Sequence, residues 1–474
     1  MRQIVFISML WITIIFMTAC SHHDSLQSFN KYYYGGNDEK AYKYAKDKAG
    51  KSGDVLWNLQ AGVSAFTSHQ EDTLNLLEQG ETLFSKYESE GLMGGIFGSV
   101  GSVLVNENIR DYRGNIYEGV MFNYYKALNT MSQKDYARAR VEFNRANDRQ
   151  RRAKDYFNKD IQKALAQEHK QNAQNRNLQQ VDTHSSISSL LQKEYSNLKN
   201  FQAYEGFINP AVSYVSALFF MLEEDYNKAM DLYKESYGIN HASIINQDLQ
   251  IMQKRKNSNT DARYTWFIIE DGQSAHKQDM SVNLPTFYVS NNVLHVGVAI
   301  PMLVEGKISA RIYQAQSIEQ QNFKASEVAD LDKVIANEFN KQLPFILTRT
   351  ISSAILKSIT QNVLDNQFGT IGALAGALYS MSTTSADVRI ATALPKRVLV
   401  LQIPNNVGKF MLQADNRPLY NVHFECIKET SLQKNTQKIK NIITLCEKND
   451  NILYLRVKGN NPTYRILKGG NIDE

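Results

Sequence analysis

Residues 123–146 read NYYKALNTMSQKDYARARVEFNRA, and residues 213–236 read SYVSALFFMLEEDYNKAMDLYKES. Laid over one another at an offset of 90 residues, Ala127, Tyr136, Ala139, Phe143 and Ala146 coincide with Ala217, Tyr226, Ala229, Tyr233 and Ser236. The shared spacing is that of two helices joined by a polar, acidic turn, Ser132 to Asp135 in one copy and Glu223 to Asp225 in the other. A small residue on the first helix lets the second approach, and alanine and aromatic positions on the second interlock with it. A third, degenerate pair is expected over residues 55–88, with Trp57, Leu59, Gly62 and Phe66 on its first helix.

Outward from these repeats, apolar residues keep helical spacing across residues 38–257, which predicts a tetratricopeptide (TPR)-like α-helical superhelix. An inserted helical hairpin is expected at 149–204, its centre at 167–189 rich in Gln, Asn, Ser and His. From residue 258 the pattern turns to short β-like runs at 264–269, 293–301, 307–313, 397–403, 410–413, 421–428, 439–446, 451–457 and 464–467. These predict a mainly β domain over 258–474, β-sandwich-like, with a helical insertion at 326–382. The fold class is therefore α+β and multidomain. Within the insertion a helix over 345–363 carries few charges and should be buried. Gly369, Gly372 and Gly376 suit close helix packing, with a membrane-touching hairpin as the alternative.

The N-terminus carries an apolar run from Ile4 to Met17, the length of a signal-peptide core and too short to span a bilayer. It ends in Met17-Thr18-Ala19-Cys20, which resembles the bacterial lipobox. Residues 1–19 are then a lipoprotein signal peptide, Cys20 is the lipidated first residue, and 20–37 is a tether. Acyl chains on Cys20 would anchor the chain firmly, at about 0.8 kcal/mol per buried methylene. Ser21 in the next position resembles the outer-membrane sorting pattern of enteric bacteria. The expected place is the inner leaflet of the outer membrane, facing the periplasm, with the inner membrane left open.

Three runs resemble a family of bacterial TPR-type lipoproteins of the cell envelope: Asn123-Tyr124-Tyr125-Lys126-Ala127-Leu128, residues 139–146, and Asn209-Pro210-Ala211-Val212-Ser213-Tyr214. The likeness continues through Leu284-Pro285, Ile300-Pro301, a helix at 339–357 with Leu343-Pro344, Ala386-Asp387-Val388-Arg389 and Leu394-Pro395. It covers nearly the whole mature chain. The resemblance implies an envelope protein and brings no established activity or catalytic residues with it.

Composition narrows the function classes. With 474 residues, 43% apolar and 21% charged, the chain is neither a disulfide miniprotein, a disordered polymer nor a polytopic membrane protein. Basic and acidic side chains number 53 and 48, a balance that gives no reason to expect nucleic acid. Nine histidines show no H-E-x-x-H, three cysteines cannot build a zinc ribbon, and no G-x-S-x-G nucleophile elbow occurs. The Gly-rich stretch 91–103 lacks the Lys-Ser or Lys-Thr of a phosphate loop. No catalytic, cofactor or metal residue is therefore nominated.

Three sets of residues remain. Tyr124, Tyr125 and Tyr214 are candidates for a concave partner-binding groove, with packing between helices as the alternative. Arg138, Arg140, Arg145, Arg149, Arg151 and Arg152 form a basic patch that could face anionic lipid, lipopolysaccharide or a carboxylate-rich partner, or be balanced by Glu142, Asp148 and Asp155. Cys426 and Cys446 could form a disulfide across antiparallel strands, although that register sets Glu425 opposite Glu447. The reading of function is a lipid-anchored scaffold or adaptor that binds a protein or peptide through a TPR-like groove. The alternative is an envelope hydrolase acting on peptidoglycan or lipid, with its site in the C-terminal domain.

Overall fold

The computed structural model describes residues 21–90, 111–174, 193–258, 260–284, 296–348, 350–351, 386–426 and 441–471. Helices come first: α1 (Ser21–Tyr34), α2 (Asp38–Ser52), α3 (Val55–Thr67), α4 (Thr73–Glu90), α5 (Ile116–Ser132), α6 (Tyr136–Gln174), α7 (Pro210–Leu222), α8 (Tyr226–Asn240) and α9 (Ser243–Lys256). A 3-10 turn, Ser196–Phe201, precedes α7. Local signals set these boundaries. Asp54 caps α3 by accepting from Trp57 N, Gly53 closes α2 in the left-handed conformation, and Asn209 with Pro210 opens α7.

The hairpins α3–α4, α5–α6 and α7–α8 begin their turns alike. His69, Lys134 and Glu224 each adopt φ near +60° one residue past the cap. In each case the next amide reaches back to the carbonyl five residues earlier: Gln70 to Ala65, Asp135 to Thr130, Asp225 to Phe220, all at 2.9 Å. Backbone thus aligns Gly62 with Ala127 and Ala217, the small position on each first helix. A side chain at Gly62 would collide with Leu77 of α4. Ala127, Ala139, Phe143, Ala146, Ala217, Ala229, Tyr233 and Ser236 are all fully buried.

The expected tether at 20–37 is corrected. Leu26, Phe29 and Tyr33 put α1 into the core, with Phe29 stacked on Tyr33 and edge-on to Trp57. The expected hairpin at 149–204 also differs, since α6 runs 39 residues without a break and continues the second helix of its pair. Residues 175–192 of the expected tip lie outside the described residues.

Among the described residues twelve strands follow: β1 (Tyr264–Asp271), β2 (His276–Leu284), β3 (Val296–Val304), β4 (Tyr313–Ser317), β5 (Asn322–Lys324), β6 (Ser326–Asp330), β7 (Arg397–Pro404), β8 (Phe410–Ala414), β9 (Arg417–Phe424), β10 (Ile442–Leu445), β11 (Asn451–Val457) and β12 (Thr463–Lys468). One five-stranded sheet has the order β12-β11-β1-β7-β6, a second β10-β9-β8-β4-β5, and β2-β3 form a two-stranded ribbon. The pair β1 and β11 is parallel, as are β9 and β10; the other pairs are antiparallel. Expected strand 307–313 is reduced to a bridge between Gln273 and Lys307, and Ser326–Asp330 is a strand before the helix at 331–348.

Alternation of side chains explains the layering. On β1 and β11, Phe267, Ile269, Leu453, Leu455 and Val457 face the second sheet and pack on Phe410, Leu412, Tyr420 and Val422. The intervening Trp266, Ile268, Ile452 and Tyr454 face the helices. The result is helices, sheet, sheet. The first sheet shares one apolar core with the helices, in which Phe66 of α3 meets both Tyr125 of α5 and Tyr454 of β11.

Candidate functional site

A cavity of about 240 Å³ opens where α1, the start of β2, the loop after β3 and an extended segment at 388–392 meet. Leu26, Val388 and Ile390 give it apolar wall, and Gln27, Asn30 and Thr392 line one polar side. Thr392 donates to Asn30 Oδ1 at 2.6 Å and accepts from Gln60 Nε2 at 2.8 Å, which fixes the Asn30 amide with its oxygen already used. The opposite side carries His276, Lys277 and Gln278 from β2, and Glu305 and Lys307 from the loop. That loop is held shut on its inner side. Asp332 accepts from Gly306 N (2.7 Å), Ala275 N (2.6 Å) and Lys396 Nζ (2.7 Å). His276 is half-buried, and burial together with nearby Lys307 lowers its pKa.

Among the buried carboxylates, Glu270 and Asp248 sit where helices meet strands, and Glu338 sits where two helices meet. Glu270 accepts from the Tyr125 and Tyr454 hydroxyls, both at 2.7 Å. Burial raises its pKa, an effect opposed by Arg456, whose own guanidinium donates to the carbonyls of Glu270, Val457 and Ala393. Asp248 of α9 accepts from Tyr214 (2.5 Å), Trp266 Nε1 (2.9 Å) and Gln402 Nε2 (2.7 Å). Burial pushes it up to about 6. Glu338 caps α5 by accepting from Ile116 N (2.8 Å) and Tyr117 N (3.2 Å), and burial pushes it up to about 7, helped by neighbouring Glu118. Glu118 in turn accepts from Asn115 N, Ala391 N and Tyr112. Glu338 and Glu118 lie near one another, and backbone amides and side chains of this chain occupy all four carboxylates.

The groove candidates fall elsewhere than expected. Tyr124, Tyr125 and Tyr214 are 1%, 0% and 0% exposed, so none can touch a partner. The first sheet and α9 cover that side of the helices, and the tyrosines serve as hydrogen-bond donors or packing groups there.

The basic patch is likewise dispersed into ion pairs. Arg138 pairs with Glu78, Arg140 with Asp225, Arg145 with Glu142 and Arg151 with Glu235, while Arg152 bonds the Asp148 carbonyl. Arg149 is buried over the Phe84 ring and pairs with Glu81 and Glu88. Charges spaced around a helix reach different neighbours, so these six arginines do not act as one face.

Cys426 and Cys446 are joined as a disulfide, with Cα atoms 4.2 Å apart. The strands beside them run parallel, with Phe424 opposite Leu445, so the expected clash of Glu425 with Glu447 does not arise. Cys20, the Gly-rich stretch 91–103, the glycines at 369–376 and the loop 433–438 lie outside the described residues. Among the described residues no helix is long and apolar enough to cross a membrane.

No family model, curated protein or solved structure matches the chain. The buried charges were not singled out in the sequence, although a signal existed. Glu270 closes the apolar run of β1, and Arg456 stands in that of β11, where an unpartnered charge would be costly.

Proposed function

We propose that the protein is a lipid-anchored adaptor of the bacterial cell envelope. Acylated at Cys20 and facing the periplasm from the outer membrane, it carries a TPR-like helical superhelix and a β-sandwich, and binds a protein or peptide in envelope assembly or regulation. The observation that carries this reading is α1, which starts at Ser21 and is packed into the core by Leu26, Phe29 and Tyr33. An acyl group on the preceding residue would therefore seat the folded body directly on the bilayer instead of on a leash. The matched turns at His69, Lys134 and Glu224 support the repeat reading, and the family resemblance supports the location.

The partner surface is sought on the outside, since the tyrosine side is filled. Val141 on α6, Tyr237 on α8 and Ile318 beyond β4 are exposed apolar side chains suited to carry a photo-crosslinker. The test is in-cell crosslinking from these three positions, with and without Cys20→Ser, beside labelling with an alkyne fatty acid. One stoichiometric protein adduct, lost together with the label in Cys20→Ser, is expected. Absence of label on the wild-type chain, or only diffuse adducts, would overturn the proposal.

A further inference from the structure

We infer that the cavity between α1 and the β2–β3 ribbon is a binding site for a small phosphate-bearing molecule. Its volume of about 240 Å³ corresponds to roughly eight water molecules of liquid, enough for a compact polar ligand. Lys277 and Lys307 line it together with one carboxylate, Glu305, and Lys277 also acts on the buried carboxylates Asp387, Glu338 and Glu118. Neither lysine has an ion-pair partner within 4 Å among the described residues. That sets them apart from Lys126, Lys396, Lys458 and Lys468, each of which is paired.

Amide, hydroxyl and imidazole groups stand around the two cations. Asn30 has its oxygen taken by Thr392, so the amide group it offers the cavity is the NH2 donor. The His276 ring, close enough to Lys307 for its pKa to be lowered, is half-buried and adds a further nitrogen. A phosphate offers three acceptor oxygens that suit two ammonium groups and an amide, and its organic substituent would lie on Val388 and Ile390.

The walls are set before any ligand arrives. Asp332 clamps Ala275 N, just before β2, and Gly306 N, in the loop after β3 next to Lys307, and a side chain at Gly306 would collide with the Gln273 carbonyl. Gln27 is seven residues past Cys20 in the sequence, so a lipid headgroup and a free phosphate ester are both tested as sources. The inference itself stands on the cavity lining and holds with or without acylation.

The experiment is calorimetric titration of the full chain in neutral detergent with sn-glycerol 3-phosphate. It is repeated with nanodiscs of phosphatidylglycerol and of phosphatidylcholine. Lys277→Gln and Lys307→Gln should each weaken binding about tenfold or more, while Glu305→Gln should strengthen it several-fold. Thermal melts show that each variant is folded, and the gain in Glu305→Gln cannot come from misfolding. Binding of the soluble ester marks a free ligand. Binding of the phosphatidylglycerol discs alone, with the same dependence on the variants, marks a headgroup. No binding of either, or binding that all three variants leave unchanged, overturns the inference.

Discussion

The hairpins α5–α6 and α7–α8 are alike inside and different outside. Within each, the small residue on the first helix, the aromatic on the second and the left-handed turn residue occupy matching places. Toward the sheet they part. Tyr125 of the first delivers its hydroxyl to Glu270, a carboxylate with the Arg456 guanidinium nearby. Tyr214 of the second delivers its hydroxyl to Asp248, which also accepts from Trp266 and Gln402 and has the Arg255 guanidinium nearby, stacked over Trp266. Helix-to-helix contact repeats because each hairpin must solve the same packing problem. Docking does not repeat, because each meets a different element of the β half.

The largest expected effect breaks the first junction. Arg456→Met leaves Glu270 buried without its cation and frees three carbonyls, so the urea midpoint should fall by the equivalent of about 3–5 kcal/mol. Next, Phe143→Ala and Tyr233→Ala empty equivalent places and should cost similar amounts, about 3–5 kcal/mol each; unequal costs in urea denaturation would break the equivalence.

The third outcome concerns pH and separates the junctions. Burial raises Asp248 from 3.8 to about 6, so the unfolded chain loses this proton first. Its contribution is full below about pH 4, declines as pH rises and levels off above about 6, a span of roughly 3 kcal/mol. Asp248→Asn should remove that span, so that the difference between variant and wild type in urea midpoint grows more favourable to the variant from pH 4.5 to 7. A constant difference would contradict it. The smallest effects are hydroxyl deletions. Tyr125→Phe and Tyr214→Phe should each cost about 1–3 kcal/mol in the same assay. Tyr124→Phe should cost less than either, because its hydroxyl faces Glu270 without the close geometry that Tyr125 has.

Legibility in the sequence followed burial. The run 451–457 coincides residue for residue with β11, since it is buried on both faces and apolar throughout except at Asn451 and Arg456. Strand β2, HKQDMSVNL, alternates Met280, Val282 and Leu284 with Ser281 and Asn283, but its first half, His276 to Asp279, is polar throughout, so the strand signal is confined to its second half. The tyrosines were found but misplaced. Spacing puts Tyr125 and Tyr214 on one side of their helices, yet only the fold says that the chain's own sheet fills that side. Arg149 has the sequence look of its solvated neighbours, and its burial depends on Phe84 and Glu81, more than sixty residues away. The cavity was illegible for the same reason, its walls coming from four distant segments.

The first helix has a timetable. Tyr34 bonds the Thr392 carbonyl, and Asp38 pairs with Lys458, so the two ends of the described chain complete one another. A polypeptide that emerges N-terminus first, at about 5–20 residues per second, must wait roughly 20 to 85 seconds between making one side of this seam and making the other. Through that interval Phe29 can meet Trp57, but the Tyr33 ring lacks the Arg456 and Lys458 that later cover it. The earliest residues made are thus among the last to be secured, and any factor that shelters them acts on the nascent chain well before the β half exists.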